Sequence, residues 1–441
     1  MELMVASLRI YNSACCMERF VFLGLIDITE TFVFIRRDTH LVSAVAIKLY
    51  FIMHNSELRI THSELKFGGY MKLKFSAPCI FGLEGICANE LKYLGIENVR
   101  AENGRVLFSG DFNTLARANI NSRYAERIQI LLAEFEARTF EELFENVSKI
   151  EWESFIGISD AFPVKGRCLN SKLMSVPDCQ KIIKKAVVSR LSKKYMLSWF
   201  EETGSLHQIQ FLILNDRVSV MLDTSGAGLH KRGYRAESND APIKETLAAA
   251  MAELARVRPN HFVCDPMCGS GTIVIESAMK ALNIAPGVNR YFACEKWSCV
   301  PKMAFDEERE LARSKVRTDI AFHAEGSDID KSALETAMHN AELAGVADRI
   351  KFYERDIKDF EFSEDYQTVI TNPPYGERLL DIKSAEELYR VMGQRFIRSR
   401  GKSYTIITPD DDFEKIFGRK ADKRRKMYNG TLKCQVYMYF K

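Results

Sequence analysis

From residue 71 onward, alternating strips, short apolar runs and helical spacings follow one another in an order that divides the chain. "KLKFSAP" alternates as a strand, "GLEGICANELKYLG" carries apolar residues at helical spacing and stops at Gly95, and "VRAENGRVLFSG" reads as strands turning at Asn103-Gly104. A helix follows around "DFNTLARANINS". Strand, helix, hairpin and helix in so short a span predict an α+β domain of ferredoxin-like type over residues 71–135.

Residues 136–226 continue the mixed pattern. A helix at "TFEELFENVSKI" precedes a strand at "AFPVKGRCLN", a helix from Pro177 to Lys194, and the hairpin "QIQFLILNDRVSVMLDTSG" turning at Asn215-Asp216.

After the linker "HKRGYRAESNDAPIK" the rhythm changes. Helices at 245–257, 271–283, 331–344 and 385–399 alternate with the strands "HFVCD", "AFHAEGSD", "IKFYERD", "QTVITNP" and "SYTIITP". Near-continuous apolar strands separated by helices predict an α/β fold over 227–441, a Rossmann-like, doubly wound parallel sheet. The closing "KMYNGTLKCQVYMYF" adds an antiparallel hairpin at Asn429-Gly430.

Residues 1–70 show no such rhythm and end in "LKFGGYMKLKF". Gly68-Gly69 is encoded by GGN-GGN, which can read as a ribosome-binding sequence just before the codon for Met71. The expectation is that Met71 is the native start and that residues 1–70 are leader or mis-assigned extension; a genuine N-terminal appendage is the alternative.

Composition adds boundaries to this picture. At 441 residues, 46% of them apolar and 27% charged, the chain is expected to be a soluble globular protein of several domains. The apolar runs "FVFLGLI" and "LVSAVAI" are cut by charges well short of the ~20 residues a membrane helix needs, so a cytoplasmic location without membrane contact is expected. Eleven cysteines without C-x-x-C spacing predict buried reduced thiols, and no metal site is expected.

The net charge of +3 says little, but its distribution says more. Between 165 and 194 stand Lys165, Arg167, Lys172, Lys181, Lys184, Lys185, Arg190, Lys193 and Lys194 against Asp178 alone. A charge run by itself is more often a solvated helix face; beside a catalytic domain it points to a polyanion. Lys181, Lys184, Lys185 and Lys194 fall near one side of their helix and can line a single groove. A second run, Lys415 to Lys426, either holds phosphates or protects a sheet edge.

The chemistry lies at strand ends. "VCDPMCGSGTIVIESA" places Asp265 before a Gly-rich turn that opens a helix, where Gly269 and Gly271 let the backbone approach a ligand. The turn is neither the dinucleotide G-x-G-x-x-G nor a phosphate loop with its Lys. Asp265 suits instead a ligand bearing positive charge, such as S-adenosylmethionine. Pro266, Cys268 and Thr272 complete that turn, with Cys268 as a small residue packed against cofactor. Asp328 can accept from both ribose hydroxyls, Asp330 caps the next helix, and Asp356 can accept from the adenine amino group.

"TNPPYG" ends the fourth strand. A conjugated amine is a poor nucleophile because its lone pair is delocalised. The Asn372 side-chain oxygen and the Pro373 carbonyl can take its two protons and aim the lone pair at a methyl group, while Tyr375 stacks on the planar target. The motif alone leaves DNA, RNA and protein glutamine open.

These residues resemble the class I S-adenosylmethionine-dependent methyltransferases. More narrowly, "LHKRGYR", "APIKETLAAAM", "DPMCGSGT", "NIAPGVNRYFACEKW" and "TNPPYGERL" are similar to the THUMP-domain RNA methylases related to the N-terminal half of RlmL, the large-subunit rRNA guanine-N2 methyltransferases. The resemblance covers residues 71–441. It implies a ferredoxin-like domain and a THUMP domain (136–226) that grip RNA, a methyltransferase domain (227–441), and a single modification, since no second methyltransferase half follows. It matches Asp265, Gly269, Gly271, Asp328 and Asp356 to the cofactor motifs and Asn372, Pro373 and Tyr375 to the catalytic motif. It favours RNA, 23S rRNA first; from the basic run, Lys165, Arg167, Lys172, Lys181, Lys184 and Lys185 are then the expected contacts. Guanine N2 in tRNA, adenine N6 in nucleic acid, and a noncatalytic RNA-binding factor are the competing readings.

Overall fold

The computed structural model describes residues 72–235, 243–375 and 382–440. The expectation concerning residues 1–70 lies outside these. Among the described residues no helix is long and apolar enough to cross a membrane. Their nine cysteines are free thiols, seven of them buried.

The N-terminal half runs β1 (Leu73–Pro78), α1 (Glu84–Tyr93), β2 (Glu97–Glu102), β3 (Arg105–Gly110), α2 (Phe112–Asn121), β4 (Gln129–Glu136), α3 (Phe140–Ser148), β5 (Val164–Leu169), α4 (Val176–Tyr195), β6 (Ile209–Leu214) and β7 (Arg217–Asp223). Local chemistry places the helix starts. Asp111 accepts the Thr114 N–H to begin α2, and Thr139 with Glu142 forms a capping box on α3.

Strand β4 is not foreshadowed by the sequence pattern, and it joins the two N-terminal domains. It pairs with β1 through Phe75 and Ile130 and with β7 from Gln129↔Asp223 to Glu136↔Arg217. The ferredoxin-like and second domains therefore share one seven-stranded sheet in the order β2-β3-β1-β4-β7-β6-β5.

The C-terminal half runs α5 (Glu245–Leu254), β8 (Phe262–Asp265), α6 (Thr272–Ala281), α7 (Lys302–Ser314), β9 (His323–Asp328), α8 (Lys331–Leu343), β10 (Ile350–Glu354), β11 (Gln367–Thr371), α9 (Ile382–Arg395), β12 (Lys402–Thr408), α10 (Phe413–Phe417), β13 (Lys423–Asn429) and β14 (Leu432–Tyr439). Its sheet has the order β10-β9-β8-β11-β12-β14-β13. β8 to β12 are parallel, and β13 and β14 form the antiparallel edge pair. The strand order reverses between β8 and β11, so a crevice opens beyond their carboxyl ends.

Helix α7 is the second unanticipated element, and it packs on α2 of the N-terminal half with Arg117 bonded to the Glu308 carboxylate. The insertion 283–297 has the same use. Gly287 donates to the Ile120 carbonyl, Cys294 to the Thr224 carbonyl, and the Trp297 indole to the Leu206 carbonyl while stacking on His207. Deep in the same boundary the Arg232 guanidinium donates to the carbonyls of Arg123 and Leu229 and faces Glu276 on α6, whose carboxylate also accepts from Tyr234. The two halves are docked by hydrogen bonds to backbone as well as by apolar packing, which fixes their relative orientation.

Candidate active site

At the crevice lies a cavity of about 1080 Å³ lined by the ends of β8, β9, β10 and β11 together with α9 and the β13–β14 hairpin. Four strand ends that are far apart in sequence meet there because parallel β-α-β crossovers bring every carboxyl end to one side of the sheet.

Asp265 closes β8. It is 1% exposed, its Oδ1 accepts the Met267 N–H at 3.2 Å, and burial pushes its carboxyl up to about 7. A buried carboxylate with no cation beside it is costly, and a cationic ligand relieves that cost. Asp328 closes β9; its carboxylate accepts the N–H of Gly269 at 2.8 Å and of Asp330 at 3.1 Å. Asp330 caps α8 through the N–H groups of Ser332 and Ala333, as its spacing predicts. Asp356, just beyond β10, accepts the Lys358 N–H at 2.9 Å and faces the same cavity.

Gly269 has φ +50° and nothing within 4 Å of where a Cβ would stand, so the turn is open to a ligand there. Gly271 differs from expectation. It does not line the cavity, and a Cβ on it would stand 3.0 Å from the Ala337 Cβ, so its freedom serves the close packing of α6 on α8. Pro266, Cys268 and Thr272 line the cavity. Burial raises the Cys268 thiol well above its ordinary range, which disfavours the thiolate, and the Thr272 hydroxyl accepts from Arg235.

Asn372 follows β11 directly. Its Oδ1 is buried and, among the described residues, has no hydrogen-bond partner. Such an orphan acceptor in a cavity wall is a place for an incoming N–H. Pro373 is buried beside it. The Tyr375 hydroxyl accepts from Asn429 Nδ2 at 2.9 Å.

Two apolar groups were missed from sequence. Ile329, 70% exposed, and the buried Ile357 each follow an acidic strand end and line the cavity. The repeated Asp-Ile in "GSDID" and "ERDI" was the available signal, an acceptor for polar edges followed by a surface for a flat ring. Asn429 and Leu432, from the hairpin, carried no such signal.

Of Lys181, Lys184, Lys185 and Lys194, expected to line a single groove, Lys184 does not join its exposed neighbours. Lys165, Arg167, Lys172, Lys181 and Lys185 are exposed. Lys184 turns inward, donating to the Phe162 carbonyl, pairing with Glu202 and sitting 3.5 Å from the Phe162 ring centroid. Cys168 Sγ lies 3.8 Å from Cys179 Sγ, so Cys168 faces α4, and the alternate positions Lys165 and Arg167 face the other side of the sheet.

The residues present fit S-adenosylmethionine. A buried carboxyl with no cation beside it among the described residues, two further acceptors at consecutive strand ends, an open glycine and two isoleucines meet the needs of a sulfonium, a ribose and an adenine.

Comparison with known proteins agrees with this geometry. An RlmL ferredoxin-like model matches residues 74–129, a THUMP model 137–223 and an RMKL-like methyltransferase model 232–438. The chain is 42% identical over 84% of its length to YpsC of Bacillus subtilis (strain 168), provisionally named an RNA methyltransferase, and covers 96% of that protein. It is 33% identical to the ribosomal RNA large subunit methyltransferase K/L of Psychromonas ingrahamii over 83% of its length, spanning 50% of that longer protein. The crystal structure of SMU.472, described as a methyltransferase complexed with S-adenosylhomocysteine, is 42% identical and superposes with a TM-score of 0.79 over 84% of this chain and 98% of that one. With three domain models in order and a relative matched over nearly its whole length, the chain belongs to the RlmL-like, THUMP-domain family of S-adenosylmethionine-dependent methyltransferases.

Proposed function

We propose that the protein methylates the exocyclic N2 of a guanine in structured RNA, with 23S rRNA as the first substrate to test. The observation that carries methyl transfer to an amine is Asn372 Oδ1 at the end of β11, buried and without a hydrogen-bond partner among the described residues.

Asp265, Asp328 and Asp356 would hold S-adenosylmethionine, with Ile329 and Ile357 against its flat ring. When bound, it supplies a methyl group on positively charged sulfur. Asn372 Oδ1 and the Pro373 carbonyl accept the two amino protons of the target, which draws the nitrogen toward a pyramidal form and directs its lone pair. The same two dipoles stabilise the positive charge that grows on nitrogen as the methyl transfers. Tyr375 supplies a face on which an extruded base stacks. None of these roles calls for a nucleophilic side chain on the enzyme.

RNA as the polymer is supported by the THUMP and RlmL ferredoxin-like segments and by the names of the two relatives. The guanine rests on the resemblance to RlmL. Nucleoside mass spectrometry of rRNA and tRNA from wild-type and deletion cells tests both, with loss of N2-methylguanosine from 23S rRNA expected. Loss of N6-methyladenine with N2-methylguanosine unchanged would overturn the base assignment, and loss confined to tRNA would overturn the choice of 23S rRNA.

A further inference from the structure

The β13–β14 hairpin reaches the catalytic turn from a distant part of the chain. At its tip Asn429, together with Gly430 and Leu432, lines the cavity, and the Asn429 amide donates to the Tyr375 hydroxyl oxygen at 2.9 Å. Cys434 Sγ, on the facing strand, stands 4.0 Å from the same hydroxyl. The face that carries Asn429 also carries the fully buried Met427, which pairs with Cys434.

The other face is braced by the N-terminal half. Phe81 packs edge-on against Tyr428 with ring centroids 6.4 Å apart, and a Cβ on Gly82 would stand 2.8 Å from the Lys426 carbonyl oxygen. That loop is itself preformed, because the Glu84 carboxylate accepts the N–H groups of Gly82 at 2.9 Å and Gly104 at 3.0 Å. Phe81 remains 58% exposed, so burial alone does not account for its place. The hairpin is thus held between the N-terminal half on one face and the catalytic turn on the other.

A tyrosine that serves as a stacking platform must present its ring in one orientation, and among the described residues the partners of its hydroxyl, Asn429 and Cys434, both stand on the hairpin. The ring needs a second fixed point. We infer that Asn429 is a positioning residue for Tyr375, and that the hairpin, braced by Phe81, sets the orientation of the ring that receives the target base. This rests on the reading of Tyr375 given above. In this role Asn429 acts through the tyrosine hydroxyl.

The test has one arm that needs no RNA. With 3-fluorotyrosine placed at position 375, the fluorine resonance of the complex with S-adenosylhomocysteine should move and broaden in Asn429→Ala, and an unchanged resonance would overturn the inference. The second arm measures methyl transfer to total rRNA from deletion cells. Asn429→Ala should lower kcat about tenfold with a much smaller change in KM. Tyr375→Phe, which leaves the hairpin intact, should reproduce that loss, and the double variant should be no worse than either single one. Asn429→His, which keeps a ring N–H donor, should restore part of the rate. Additive losses, or a loss confined to cofactor affinity, would also overturn it. Should the unaltered enzyme transfer no methyl to that RNA, the substrate reading fails while the fluorine arm still decides Asn429.

Discussion

Asp328 Oδ2 accepts the backbone N–H of Gly269 at 2.8 Å, which ties the Gly-rich turn after β8 to the end of β9. One carboxylate therefore both shapes the turn and faces the cavity. Asp328→Ala should weaken binding of S-adenosylhomocysteine by about 10- to 100-fold, since a charge-assisted hydrogen bond within the turn and an acceptor for the ligand disappear together. Calorimetric titration measures this; unchanged affinity would remove Asp328 from the site.

Cofactor affinity should depend on pH through Asp265. Burial holds its carboxyl at about 7 in the free protein, above the ordinary Asp range. A cationic ligand favours the carboxylate, so below about 7 binding must first expel a proton, and affinity should fall by up to tenfold per pH unit as pH drops. The sign for stability is opposite. A raised carboxyl pKa means the folded state holds the proton more tightly than the unfolded chain, so the free protein should lose stability as pH rises through about 7. Titrations across that range check the first effect, thermal melts the second, and Asp265→Asn should flatten both.

Asn372→Ala should keep S-adenosylhomocysteine binding within about twofold and lower turnover by about 100-fold or more, the usual cost of removing one preorganised acceptor or donor of developing charge. Single-turnover methyl transfer with a parallel binding measurement separates the two. Full activity would take Asn372 out of the mechanism.

Glu276→Ala should destabilise the fold by about 3–5 kcal/mol, because it leaves the Arg232 guanidinium buried without its carboxylate. Arg232 also binds the Arg123 carbonyl across the domain boundary, so the two halves should loosen together. Limited proteolysis and denaturant melts will show whether that boundary opens.

The basic residues of the second domain should divide by direction. Neutralising the exposed Lys181 and Lys185 should weaken RNA binding and reduce its salt dependence by roughly 0.7–0.9 in slope for each phosphate left without a cation. Lys184→Ala should instead lower the melting temperature, since that side chain is committed to Phe162 and Glu202. Equal effects of all three on RNA affinity would contradict the division.

The sequence by itself determined what is local. Apolar strands that end in Asp265, Asp328 or beside Asp356, followed by helices, announced a doubly wound sheet with acceptors at one end, because strand and cap are written within a few residues of each other. The Asn372-Pro-Pro-Tyr375 segment was legible in the same way as the continuation of an apolar strand, β11. Which neighbour buries a face was left to the tertiary structure, since periodicity records that a side chain is covered and not by what. So β4 appeared only as the strand completing a shared sheet, α7 and the insertion at 283–297 only as the clasp between halves, and Gly271 only as a close neighbour of Ala337. Lys184 shared a charge run with its neighbours until folding set it over Phe162. Asn429 meets Tyr375 across 54 residues. A hydrogen bond over that distance follows from strand order and hairpin register, which only the packed sheet decides.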